Sequence, residues 1–171
     1  MSVVLETDRL ILRVPVDHDL EGWAAFDGDP RATKFFGGPK SRAVAWEMLA
    51  SVAGMWALRG CGLFSVFERG SGRWVGRIGP WKPEGATAEI GWAILPAHWG
   101  KGYATEGARA AIDWAIDCLG WAEINHCIDA ENTPSIEVAR RLGAQWLRVD
   151  HDAHGKETQV YGQSAQRWRS R

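Results

Sequence analysis

Apolar and polar positions alternate, or recur at helical spacing, along most of the chain, and the pattern predicts strands and helices in a definite order. LETDRLILRV (5–14) sets Leu10, Leu12 and Val14 against Arg9, Ile11 and Arg13, which predicts a strand with one largely polar face, ended by Pro15. Asp17 is placed to cap a short helix through Leu20, Trp23 and Ala24, and GDP (28–30) breaks the chain after it. RATKFFGGPK (31–40) is a hydrophobic loop, suited to a substrate lid or to plain docking on the core. From Ser41 a longer helix carries Trp46, Leu49, Val52, Ala53 and Trp56 and ends near Gly60.

Two apolar runs around ERGSG in GLFSVFERGSGRWVGRIGPW (62–81) predict a β-hairpin, and ATAEIGWAIL (86–95) predicts a further strand. Strands joined without helices should form an antiparallel meander. The chain then changes habit, with a helix over 103–119, a strand over 124–129 and a helix from Pro134 to Leu142, capped by Thr133 and closed by Gly143. Short strands at Gln145–Asp150 and Glu157–Tyr161, with HDAHGK between them, complete the pattern. Strands separated by helices imply a parallel crossover. The expected fold is α/β (α+β): a single domain over 1–171, with a mixed central sheet of about seven strands flanked by about four helices.

Composition narrows the partners. A formal net charge of -1 over 171 residues lacks the field of a nucleic-acid or anionic-membrane binder, so a small molecule or a protein is the expected partner. The three cysteines, Cys61, Cys118 and Cys127, form no CxxC pair, which predicts reduced thiols and neither a disulfide framework nor a metal site. Glu6, Asp8, Arg9 and Arg13 stand where a signal peptide would need an apolar core, and no run approaches the ~18 apolar residues of a membrane span. A soluble, cytoplasmic protein is expected. Eleven tryptophans need partners for their ring N–H groups, which suggests a mainly core role with some lining a cleft.

Chemistry concentrates in HWGKGYATEGARAAIDWAIDCLG (98–120), a glycine turn that runs directly into an amphipathic helix. The first amides of such a helix have no internal partners and lie at its positive end, an arrangement that binds phosphate. A P-loop, GxxxxGK[ST], does not fit, because Lys101 precedes Gly102. A dinucleotide GxGxxG begun at Gly100 and Gly102 would place its third glycine at Thr105, after a meander strand. The third candidate is a pyrophosphate-binding turn entered from the strand ending at Leu95–Pro96.

Here the chain resembles the GNAT family of N-acetyltransferases, and within it the RimJ/RimL-like branch. WGKGYA (99–104) is similar to the family's acetyl-CoA signature, with Trp99 in place of its first polar residue. LETDRLILR (5–13), AEIGWAIL (88–95) with Pro96, ATEG (104–107) and NTPSIEVARRLGA (132–144) follow the branch in the same order. The resemblance implies a GNAT-like domain using acetyl-CoA as co-substrate and no metal. Its acceptor would be a primary amine, a protein N-terminus or a small molecule, attacking directly in a ternary complex. A non-catalytic acyl-CoA-binding or sensing domain, and a nucleotide-binding domain, are the alternatives.

The same resemblance implies roles by position. The backbone of Ile94 and Leu95 would hold the pantetheine arm and polarise the thioester carbonyl. The turn Trp99, Gly100, Lys101, Gly102, Tyr103 and Ala104 would hold the pyrophosphate, with Lys101 near a phosphate or simply solvated. Asn132 would bond the pantetheine region or act as a turn residue, and Ser135 would donate to the sulfur or satisfy local backbone. Where many GNAT enzymes have a tyrosine acid this chain has Ala139, and Tyr161 and His154 are weaker candidates. An ammonium acceptor needs a base, and alternation places Glu89 with Thr87, Gly91 and Ala93 on a face with room for a ligand or water. A solvent-facing strand carboxylate is its plain alternative. Phe36, Trp81 and Trp92 are candidate walls of the acceptor cleft, which the 31–40 loop, the second helix and the Glu89 face would bound.

Overall fold

The structure, a computed structural model, describes residues 3–151 and 155–170. Two antiparallel sheets form its frame. In one, β1 (Val4–Glu6), β2 (Leu10–Arg13), β3 (Phe64–Glu68), β4 (Trp74–Trp81) and β5 (Glu89–Ile94) lie in sequence order. In the other, β6 (Glu123–Ile128) and β7 (Gln145–His151) flank β8 (Glu157–Ser164). Helices α1 (Leu20–Gly28) and α2 (Arg42–Arg59) separate β2 from β3, α3 (Tyr103–Leu119) joins the sheets, α4 (Thr133–Arg141) follows β6, and α5 (Ala165–Arg169) follows β8. No helix among the described residues is long and apolar enough to cross a membrane.

Several local outcomes differ from the expected pattern. The strand expected over 5–14 is a hairpin, with Leu5 opposite Leu12. Thr7 makes the corner: its amide donates to the Leu10 carbonyl at 2.9 Å and its hydroxyl accepts the Leu10 amide at 3.0 Å. Asn132, not Thr133, caps α4, accepting the Ser135 amide at 3.3 Å. The short α5 was not expected; Ser164 caps it and the Trp168 indole anchors it to Asp113 of α3 at 2.8 Å. The ERGSG hairpin forms as expected, with Gly72 in the left-handed region, φ 68°, and its amide on the Glu68 carbonyl.

Each face of the larger sheet has its own core. Leu10, Leu12, Phe64, Val66, Ile78, Ile90 and Ile94 pack against Ala108, Ala111, Ile112 and Ala115 of α3. Small residues on the helix permit that close approach, and Gly107 most of all, since a Cβ there would lie 2.5 Å from Ile78 Cδ1. On the opposite face Trp23, Leu49, Val52 and Leu63 join α1 and α2 to the sheet. Here Arg77 of β4 forms a buried ion pair with Asp27, its guanidinium 2.9 and 3.2 Å from the carboxylate and 4.6 Å from the Trp23 ring. Most expected core roles for tryptophan hold: the indoles of Trp23 and Trp56 donate at 3.0 Å to Ser65 Oγ and the Leu63 carbonyl.

Between the sheets the backbone ladder stops. Asn125 Nδ2 reaches the Ala88 carbonyl at 3.4 Å, His126 Nδ1 the Ile90 carbonyl at 2.8 Å, and the Cys127 amide Glu89 Oε2 at 2.7 Å. Residues 88 and 90 thus meet 125 and 126, so β5 and β6 run in the same sense, as a crossover through α3 requires. Among the described residues the mixed sheet therefore consists of eight strands in two antiparallel halves, joined in parallel sense by side chains, and five α-helices flank it.

Gly76 brings β4 and β5 close beside this seam: a Cβ there would lie 2.3 Å from the Ala93 carbonyl oxygen, a backbone atom that cannot swing aside. Gly76→Ala is expected to cost about 1–3 kcal/mol, read as a lower midpoint of thermal unfolding. Gly107→Ala meets a side-chain methyl and gains about 1 kcal/mol of helix propensity, so its loss should be smaller. Equal midpoints for Gly76→Ala and the parent chain would contradict the packing described.

Candidate active site

Leaving β5, the chain makes a turn of 3-10 helix at Pro96–His98 and then passes Gly100 and Gly102, both left-handed with φ 75° and 80°. Gly102 caps α3 without a side-chain bond, and the first helical bond runs from the Glu106 amide to the Gly102 carbonyl. The amides of Tyr103, Ala104 and Thr105 therefore face outward without helical partners at the positive end of α3. The side chains of the turn point elsewhere. Tyr103 donates its hydroxyl to Glu68, and Lys101 Nζ lies 3.8 Å from the same carboxylate. Hydrogen bonds from the Ser71 and Tyr103 hydroxyls hold the Glu68 carboxyl down to about 2. The turn thus offers an anion its backbone, and Lys101 is paired instead of free.

Glu106 fixes the turn from behind. Its carboxylate accepts the Thr7 hydroxyl at 2.6 Å, the Arg9 amide at 2.9 Å and Arg9 Nε at 2.7 Å. Arg9 also donates to the Lys101 carbonyl at 2.9 Å and lies 4.9 Å over the Tyr103 ring. A cavity of about 630 Å³ opens beside this assembly, between the β1–β2 corner, α3 and the end of α4, with Gly102, Thr105, Arg109 and Arg141 in its wall. Sequence reasoning missed Arg109 and Arg141. For Arg109 the signal was present, since it follows Thr105 by one helical turn; Arg141 comes from another helix.

On β5, the Leu95 amide bonds the Val75 carbonyl at 2.9 Å, which makes Val75 and Leu95 a hydrogen-bonded pair. Antiparallel ladders alternate, so the N–H and C=O groups of Ile90, Trp92 and Ile94 point away from β4 toward β6. His126 takes the Ile90 carbonyl and the Trp99 indole takes that of Ile94 at 2.7 Å. Among the described residues no hydrogen bond takes the amides of Trp92 and Ile94 on this edge. Leu95 was expected to offer its backbone here. Its amide bonds the Val75 carbonyl of β4 and its carbonyl accepts the His98 amide at 2.9 Å, so both its backbone groups are already bonded.

Candidate acceptor and sulfur residues divide between the two faces. Glu89 lies opposite Trp81 in the ladder, on the face where Ala93 and Leu95 pack with Phe26 and Ala32. Phe36 belongs to this side through an edge-on contact with Phe26, centroids 5.9 Å apart. Burial pushes the Glu89 carboxyl up to about 7, despite the bond it accepts from the Cys127 amide. Trp92, grouped with these walls from sequence, faces the other way, because its alternation partners Ile90 and Ile94 belong to the α3 core. Its indole donates to Ser135 Oγ at 3.3 Å, and its ring lies 4.9 Å from that of His126.

Since a carbonyl only accepts, His126 carries its hydrogen on Nδ1; burial pushes the imidazole down to about 4, and buried Nε2 has no hydrogen-bond partner among the described residues. Burial and the adjacent Glu89 push the Cys127 thiol up to about 12, unsuited to forming an acyl-enzyme. Ala139 is buried in the α4 core. Tyr161 is buried in the same core and donates its hydroxyl to Gln159 Oε1 at 3.1 Å, and His154 lies outside the described residues. No group of three or more His, Cys, Asp or Glu among the described residues is placed to hold a metal ion.

Comparison with known proteins bears on family and fold. The family model of the acetyltransferase (GNAT) domain matches residues 9–145. The chain is 28% identical over 149 residues to the uncharacterized N-acetyltransferase YoaA of Bacillus subtilis strain 168, covering 85% of this chain and 84% of that one. It superposes with a TM-score of 0.83 on the crystal structure of an acetyltransferase from Agrobacterium tumefaciens, 28% identical over 94% of both chains. It shares its fold with the RimL ribosomal L7/L12 α-N-protein acetyltransferase, with a TM-score of 0.78 and 13% identity over 96% of this chain and 95% of that one. With that family model matching residues 9–145, the chain belongs to the GNAT family of acetyltransferases.

Proposed function

We propose that the chain, as one domain over 1–171, transfers the acetyl group of acetyl-CoA to a primary amine by direct attack in a ternary complex. The observation that carries this reading is the continuity of the Trp92–Ile94 edge with the α3 amides, a track for an amide-containing arm that ends in a diphosphate. The pantetheine arm pairs with the Trp92 and Ile94 amides, and the pyrophosphate sits on Trp99–Ala104 through backbone donors. The nucleotide occupies the cavity walled by Arg109 and Arg141. The Asn132 side-chain oxygen caps α4, which leaves its Nδ2 as the donor toward the arm.

The acceptor amine approaches from the α1–α2 side, between Phe36, Trp81 and Glu89. Glu89, with one oxygen fixed by the Cys127 amide, takes the proton that the amine loses, and its value near 7 suits that exchange at neutral pH. Ser135, across the seam, donates to the departing sulfur. The RimJ/RimL-like motifs and the fold shared with an α-N-protein acetyltransferase support a protein N-terminal amine as one acceptor class, with small-molecule amines as the other. A cytoplasmic site of action suits both.

The test mixes the protein with acetyl-CoA and a panel of N-terminal peptides and small amines and follows free thiol. Thiol release that depends on the amine is the expected result. Binding of acetyl-CoA without turnover across the panel would select a sensing domain, and binding of ATP or NAD with indifference to CoA would reject the donor assignment. In pH terms, Glu89 accepts a proton only when ionised, so kcat should rise as pH increases to about 7 and level off above it. Glu89→Gln, which still accepts the Cys127 amide, should lower kcat by about 10²–10⁴-fold and abolish that inflection; an unchanged profile would remove Glu89 from the role.

A further inference from the structure

We infer that Trp92 is a positioning residue for departure of the thiol: its indole N–H, bonded to Ser135 Oγ, turns the serine hydroxyl hydrogen toward the thioester sulfur. This rests on the proposed role of Ser135 and goes beyond it. An indole nitrogen donates and never accepts, so at 3.3 Å the serine oxygen must be the acceptor. The Ser135 amide is spent on Asn132 Oδ1, and among the described residues nothing accepts the hydroxyl hydrogen. A helix serine ordinarily turns its hydroxyl back onto backbone; with one lone pair occupied by Trp92, this one keeps its hydrogen for something outside the protein. Accepting one hydrogen bond also strengthens the hydroxyl as a donor in the next.

Trp92 is itself held. The His126 ring lies 4.9 Å from it, and His126 is tied through Nδ1 to the Ile90 carbonyl, on the same strand as Trp92. The Trp92 amide belongs to the edge proposed for the pantetheine arm, so one residue aligns both arm and serine. During transfer the amine nitrogen forms its bond to the carbonyl carbon and the C–S bond breaks, leaving its electron pair on sulfur. The proton from the amine passes to Glu89, and Ser135 hydrogen-bonds the thiolate without losing its own proton.

The experiment is a double-mutant cycle on kcat and on KM for acetyl-CoA, using Trp92→Phe, Ser135→Ala and the double variant. Each single change should lower kcat about tenfold with KM little altered, and the double variant should match Ser135→Ala within about twofold. Trp92→His, which restores a ring N–H, should recover part of the Trp92→Phe loss. Defects that multiply, or a Trp92→Phe enzyme with full kcat beside a slow Ser135→Ala, would overturn the inference and leave the serine role standing. Full kcat in Ser135→Ala would instead remove the serine role, and with it the inference. Should Trp92→Phe not fold, the indole N–H resonance of Trp92 supplies the answer: displaced in Ser135→Ala it supports the bond, and unmoved it overturns it.

Discussion

Three side-chain hydrogen bonds hold β5 to β6 where a strand ladder would otherwise run, and the rest of the site depends on that substitution. Asn125, His126 and Glu89 tie the strands at one end, near Ala88 to Ile90, and beyond Ile90 no hydrogen bond joins the two strands among the described residues. A continuous ladder would consume the amides of Trp92 and Ile94. A gap along the full length would expose apolar core and leave buried carbonyls unpaired, at about 1–3 kcal/mol each. Bonding the sheets at one end only avoids both costs and leaves the Trp92 and Ile94 amides without a strand partner. Glu89 thereby gains two duties, since the carboxylate that closes the seam is also the base proposed for the acceptor face.

Much of this frame was legible from residues, because it is local. The two-residue period of 88–95 assigned Glu89 and Ala93 to one face and Ile90 and Ile94 to the other, as observed. The glycines at 100 and 102 and the uncapped start of α3 followed from backbone conformation alone. Two motifs that sequence could only note in order, ETDR (6–9) and ATEG (104–107), prove to be halves of one contact. Glu106 receives Thr7 and Arg9, and Gly107 admits Ile78, so neither motif is explained without the other.

What escaped the sequence depends on neighbours distant along the chain. Trp92 had been grouped with Phe36 and Trp81 as an aromatic wall although its alternation already placed it opposite Glu89; only Ser135 and His126, from other elements, show what it touches. Leu95 was expected to offer its backbone, and ladder phase bonds its amide to Val75: one residue of register separates a bonded amide from an unbonded one. Trp99, a departure from the family signature, covers the Ile94 carbonyl. Arg77 and Asp27 carried no motif, yet they form the buried ion pair under the acceptor face, where loss of one partner would strand a charge in the core.

The central claim is that the β6-facing edge of β5 receives the acyl donor, and residue-resolved amide hydrogen exchange with and without acetyl-CoA tests it most directly. The account predicts that the Trp92 and Ile94 amides exchange readily in the free protein and slow by about tenfold or more when acetyl-CoA binds, while the Cys127 amide, already bonded to Glu89, is protected in both states. Saturating acetyl-CoA that leaves the Trp92 and Ile94 rates unchanged would contradict it.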